Sequence, residues 1–146
     1  PWLAIPGAVA FAFCSYNFII IAAGHYTKAY AIAYVAPMLA GIILAMRKNR
    51  IAGAALAGLF LAFELISNHL QITYYALLIV IIYGISELYF AVRDKKVPDL
   101  LKSLGVLVIA VILAAGTNFT HLNTTREYTK YTTRGGSNLT GTCPVG

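Results

Sequence analysis

Apolar residues in this chain come in long blocks separated by short polar punctuation. Nearly unbroken apolar runs cover residues 2–22, 29–46, 51–66, 72–92 and 101–119. Crossing ~30 Å of hydrocarbon at 1.5 Å per residue takes about 20 helical residues. The pattern therefore predicts five transmembrane helices, an all-α polytopic bundle. The run 51–66 is the shortest, and it spans by recruiting Arg50 at one end and Ser67 and Asn68 at the other. A membrane β-barrel is excluded because runs such as Leu77 to Ile82 lack polar alternation, and a helix satisfies its backbone amides within one segment.

Composition strengthens this reading. Of 146 residues 60% are apolar and 11% charged, against ~45–50% and ~25% for soluble chains. A domain of this size leaves roughly 30% of its unfolded-chain surface in solvent, too much to hide such a composition, so an ordinary water-soluble enzyme is excluded. The first run is expected to be a span and not a secretory leader, since no basic flank and no cleavage-like site before a soluble domain accompany it. From Pro1 to Gly146 the chain reads as part of a longer protein, with a transmembrane region over 1–119 and an outer-face loop, or the start of an extracytoplasmic region, over 120–146.

Charge supplies the expected orientation. Basic residues gather at Arg47, Lys48 and Arg50 and at Arg93, Lys95, Lys96 and Lys102, whereas the alternate connections hold Lys28 or none. By the bias of basic residues to the cytoplasmic side, those two clusters face inward. The connections around His25 and His69 and the tail from about Thr117 then face outward, although the tail carries Arg126, Lys130 and Arg134 against the rule. With seven of the eleven basic residues serving as anchors, the net charge of +6 gives no nucleic-acid signal. Cys14 in a span and Cys143 in the tail suggest neither a disulfide nor a metal site.

Within the membrane, Ala54, Gly58 and Ala62 recur every four residues with Gly53 and Ala57 beside them, a surface on which another helix can approach closely. Pro37 is expected to free a carbonyl and kink the second span, and Tyr30 and Tyr34 read as interface aromatics. Glu87 is expected to reach Arg93 or Lys95.

The polar residues segregate. His25, His69 and His121 fall at the expected outer edge together with Lys28, Asn68, Gln71, Asn118, Arg126 and Glu127. No close pair of histidines has metal-ligand spacing, and neither a metal nor a cofactor is expected. Glu64 lies about a turn from the outer end of its span, where a carboxylate must be paired, protonated or in a wet cavity. If the helix persists, Glu64, Asn68, Gln71 and Tyr75 share one face. That face either fixes packing by interhelical hydrogen bonds or faces a substrate. In the tail, Tyr128 and Tyr131 interleave with Arg126, Lys130 and Arg134, offering stacking surface and phosphate donors or a solvated loop. Asn118, Asn123 and Asn138 match the N-glycosylation triplet, a match that Thr-rich sequence produces freely.

Three stretches carry a resemblance. They are Ala23-Gly24-His25-Tyr26-Thr27-Lys28-Ala29 with Ala31 to Pro37; Glu64 to Tyr75, including Asn68-His69-Leu70-Gln71-Ile72-Thr73-Tyr74-Tyr75; and Arg126 to Ser137, ending in Arg134-Gly135-Gly136. Together they resemble the bacterial YfhO family of polytopic membrane proteins in its Bacteroidetes-type form. The resemblance implies a protein of the bacterial cytoplasmic membrane with the layout of the GT-C glycosyltransferases, which take sugar from a polyprenyl-phosphate carrier on the outer face. In that group an acid, typically Asp, in the first large outer loop serves the chemistry. Asp94 and Asp99 fall in an inner loop here, leaving Glu64 and Glu127 as the outer acids.

The site residues expected on this basis are Glu64 and His69 for catalysis, with His25, Lys28, Asn68, Gln71, Tyr74, Arg126, Tyr128 and Arg134 for substrate. The expected partners are membrane lipid, a polyprenyl-phosphate sugar and the remaining spans of the parent protein. The competing class is a transporter or flippase component in which Glu64 is an intramembrane polar relay.

Overall fold

A computed structural model describes Trp2 and residues 4–129, which are all-α. The helices are α1 (Ala4–Ala12), α2 (Ser15–Ala22), α3 (Tyr26–Arg47), α4 (Arg50–Ile66), α5 (Leu70–Arg93), α6 (Val97–Thr117) and α7 (Phe119–Thr129). Four segments, Ala4–Ala22 and helices α3, α5 and α6, are long and apolar enough to cross a membrane. Helix α4 has 17 residues, about 26 Å of rise, and runs back along α3. Large apolar side chains cover the outside, with Ile82 69%, Ile112 63% and Leu113 64% exposed. So wide an apolar surface belongs in lipid rather than water.

The centre is built from small residues. Ala31, Ala45, Ala54 and Ala57 are all at least 95% buried. A Cβ added at Gly41 would lie 2.5 Å from the Ala57 nitrogen, and one added at Gly53 would overlap the backbone of Ala45. Helices α3 and α4 therefore touch backbone to backbone along Gly41–Ala45 and Gly53–Ala57, the close approach by which helices associate where lipid removes the hydrophobic drive. The small residues of α4 divide between two partners. Gly53 and Ala57 face α3, and Gly58 faces Ala110 of α6, so α4 is the shared central element instead of offering the single face expected.

Three connections are short because α2, α4 and α5 each end at a sharp backbone turn. Gly24 (φ +78°), Asn68 (φ +54°) and Lys95 (φ +55°) adopt the left-handed conformation, which stops a helix and redirects the chain. At Asn68 this overturns the expectation of one polar face running from Glu64 through Tyr75. Glu64 belongs to α4, Gln71 and Tyr75 to α5, and only the latter two bond each other, at 3.4 Å.

Further differences have local causes. The first span is interrupted between α1 and α2, where the Asn17 amide donates to the Phe11 carbonyl at 3.0 Å and replaces a backbone donor. Within the segment expected to be an outer-face loop or the start of an extracytoplasmic region, residues up to Thr129 form α7, with the Thr124 and Thr125 hydroxyls next to the carbonyls of Thr120 and His121.

Ion pairs mark one end of the bundle. Arg47 meets Glu87 and Arg50 meets Asp99, each at 2.8 Å, and Arg93 meets Asp94 at 3.3 Å. Glu87 thus bonds Arg47 from α3, not Arg93 or Lys95 as expected. The last turn of α3 lies across from it, whereas Arg93 donates to its neighbour Asp94.

Candidate functional site

The turns carrying His25 and His69 meet at the opposite end. Both have the same local design: a left-handed residue, Gly24 or Asn68, followed by a histidine that caps the next helix. Thr27 Oγ1 and His69 Nε2 lie 2.9 Å apart, tying the start of α3 to the start of α5. Thr125 Oγ1 lies 3.3 Å from Asn68 Oδ1, which places α7 and His121 at the same rim. The three histidines therefore share one end of the bundle, while the ion pairs occupy the other.

Beneath this rim lies a cleft of about 460 Å³ between the first span, α3 and α5, a size suited to a small ligand. Its polar mouth is made by Lys28, His69 and Gln71, with Tyr16 and Tyr75 beside them. Lys28 Nζ stands 5.5 Å from the centre of the Tyr16 ring, a cation–π contact joining α2 to α3. Below the mouth the walls are hydrocarbon, including Ile32, Val35, Leu39, Ile72 and Ile79. From Lys28 to Leu39 the groove follows α3 for about 16 Å. A charged mouth above a long apolar trough matches a molecule with an anionic head and a lipid tail.

Glu64 is separate from this cleft. It is 1% exposed, and the Thr73 hydroxyl donates its one proton to the Glu64 carboxyl, whose oxygens lie 2.8 and 3.0 Å away. The His69 carbonyl stands 3.3 Å from the same hydroxyl. Among the described residues Glu64 joins no ion pair. Enclosed in this way, it tethers α4 to α5 and is not among the residues that line the cleft.

Of the expected site residues, the structure brings Lys28, His69 and Gln71 together at the mouth. Asn68 is next to it, bonded to Thr125. His25 is exposed at the cap of α3. Tyr74 is 57% exposed, its ring 5.8 Å from that of Tyr75. The side chains of Arg126 and Tyr128, and the whole of Arg134, lie outside the described residues.

Two partners escaped the sequence reading, and a third, Asn118, was placed at the outer edge without its partners. Thr27 and Thr73 carry no periodic signal, since their bonds cross between helices. Asn118 matched a glycosylation triplet, but it is 4% exposed and donates to the carbonyls of Ala62 and Ala114 at 3.2 and 2.9 Å, joining α4 to the end of α6. Set against known proteins, the chain matches no family model, no curated protein and no solved structure.

Proposed function

We propose that the protein is the membrane part of a YfhO-like glycosyltransferase, and that the cleft below Thr27 and His69 receives a polyprenyl-phosphate sugar from the outer face of the bacterial cytoplasmic membrane. One observation carries the reading: Lys28 and His69 cap an apolar groove that runs down α3. Such a groove accommodates a polyprenyl chain while the lysine meets the phosphate charge.

In this reading an acceptor hydroxyl attacks the anomeric carbon. The bond from that carbon to the phosphate oxygen breaks, and its electron pair goes to the phosphate, where Lys28 stabilises the charge. His69 takes the acceptor's proton at Nδ1, which requires the tautomer whose Nε2–H faces Thr27 Oγ1, 2.9 Å away. Gln71 and Tyr75 flank the sugar, and Arg126 and Arg134 add phosphate donors. Glu64 holds the α4–α5 seam and does not take part in the transfer. Incorporation of labelled sugar into envelope polymer, measured in cells carrying Lys28→Ala or His69→Ala, tests this; normal incorporation in both variants refutes it.

The second reading, a transporter or flippase component, draws on the buried Glu64 and on the interruption between α1 and α2, because broken helices and intramembrane acids recur in transporters. It requires that Glu64→Gln abolish function while leaving the fold intact.

A further inference from the structure

The basic end of the bundle contains a second hollow, of about 630 Å³, at the turn between α3 and α4 and against α6. Four cations border it: Arg47, Lys48, Arg50 and Lys102. The arginines are committed, Arg47 to Glu87 and Arg50 to Asp99. Lys48 and Lys102 enter no ion pair among the described residues. The hollow therefore keeps two uncompensated positive charges, although acids stand close by on α5 and α6.

Directly behind it, between α3, α4, α5 and α6, is a cavity of about 230 Å³ walled almost wholly by hydrocarbon. Met46 lines both spaces. Two free ammonium groups at the edge of an apolar layer, adjoining an apolar cavity, complement an anionic head group with an acyl chain. Loop lysines that served only to orient the chain in the membrane would need neither a hollow nor a cavity behind them.

We infer that this pocket is a binding site for an anionic phospholipid, with its phosphate between Lys48 and Lys102 and one acyl chain reaching past Met46. The site is about the length of the bundle from the Lys28 cleft and is independent of the sugar-transfer reading. Attraction of a basic side chain to anionic lipid is of the order expected for groups at a membrane surface, and the two lysines together favour it by about thirtyfold.

The test uses the full chain in detergent micelles with fluorescent phosphatidylglycerol, and phosphatidylcholine of the same chain length as reference. The wild type is expected to prefer phosphatidylglycerol, and the variant Lys48→Gln with Lys102→Gln to lose that preference by about thirtyfold. Two comparisons guard the result. Lys95→Gln with Lys96→Gln removes the same charge at the same end outside the hollow and should keep the preference. Lys48→Arg with Lys102→Arg should restore it, showing that the fold tolerates change at these positions. An equal loss in the Lys95/Lys96 variant, an unchanged preference in the Lys48/Lys102 variant, or displacement of the lipid by inorganic phosphate alone overturns the inference.

Discussion

Thr27 Oγ1 and His69 Nε2, 42 positions apart, meet at 2.9 Å. Helix α3 carries the chain away from Thr27, so α4 must carry it back through the same layer before His69 can close the contact. The short α4 is therefore a full traverse of the bundle, although its 17 residues are fewer than a typical span. Near its two ends it is bound to α6, by Arg50 to Asp99 and by Asn118 to the Ala62 carbonyl.

Thr27→Val removes this tie. The bond is exposed to solvent, so the expected loss is at the low end of about 0.5–1.5 kcal/mol, read as a lowered unfolding midpoint in detergent. A fall in sugar incorporation larger than the stability loss accounts for is expected as well, because Thr27 holds the His69 ring in place at the mouth of the cleft.

Glu64 and Thr73 should behave as a coupled pair. Thr73→Val leaves a buried carboxyl without its donor and should cost about 1–3 kcal/mol. In a Glu64→Leu background the same change should cost much less, since no acceptor is left unmatched. A double-mutant cycle measures the difference, and additive effects would show that the hydrogen bond contributes nothing.

The glycines separate cleanly. At Gly53 a side chain would run into the backbone of Ala45, which has nowhere to move. Gly53→Leu should therefore separate α3 from α4 and cost about 3 kcal/mol or more. Gly105 has open space around it. Gly105→Ala should be tolerated and raise the unfolding midpoint, by about 0.5–1 kcal/mol of helix preference.

The helices were legible because lipid imposes length and hydropathy on any segment that crosses it. Residues 51–66 become Arg50–Ile66 and residues 72–92 become Leu70–Arg93. The last span begins earlier than its apolar run, at Val97, because Pro98 and Asp99 favour a helix's first turn. The break at Cys14 was hidden, since no proline or glycine marks it and the cause is the Asn17 side chain. At the rim, Lys28, His69 and Gln71 stood out by residue type. Their threonine partners did not, because a bond between helices leaves no pattern along either one. Glu64 was conspicuous as an acid in a span, yet its distance from the cleft depends on the left-handed turn at Asn68.

Sidedness is tested most directly by thiol labelling of intact cells with a membrane-impermeant maleimide, using single cysteines at positions 25, 121, 48 and 95 after Cys14 and Cys143 are replaced by serine. His25→Cys and His121→Cys should label from outside, and Lys48→Cys and Lys95→Cys only after permeabilisation. Labelling of positions 25 and 121 from opposite sides contradicts the shared histidine rim, and labelling of both only after permeabilisation contradicts an outward-facing cleft.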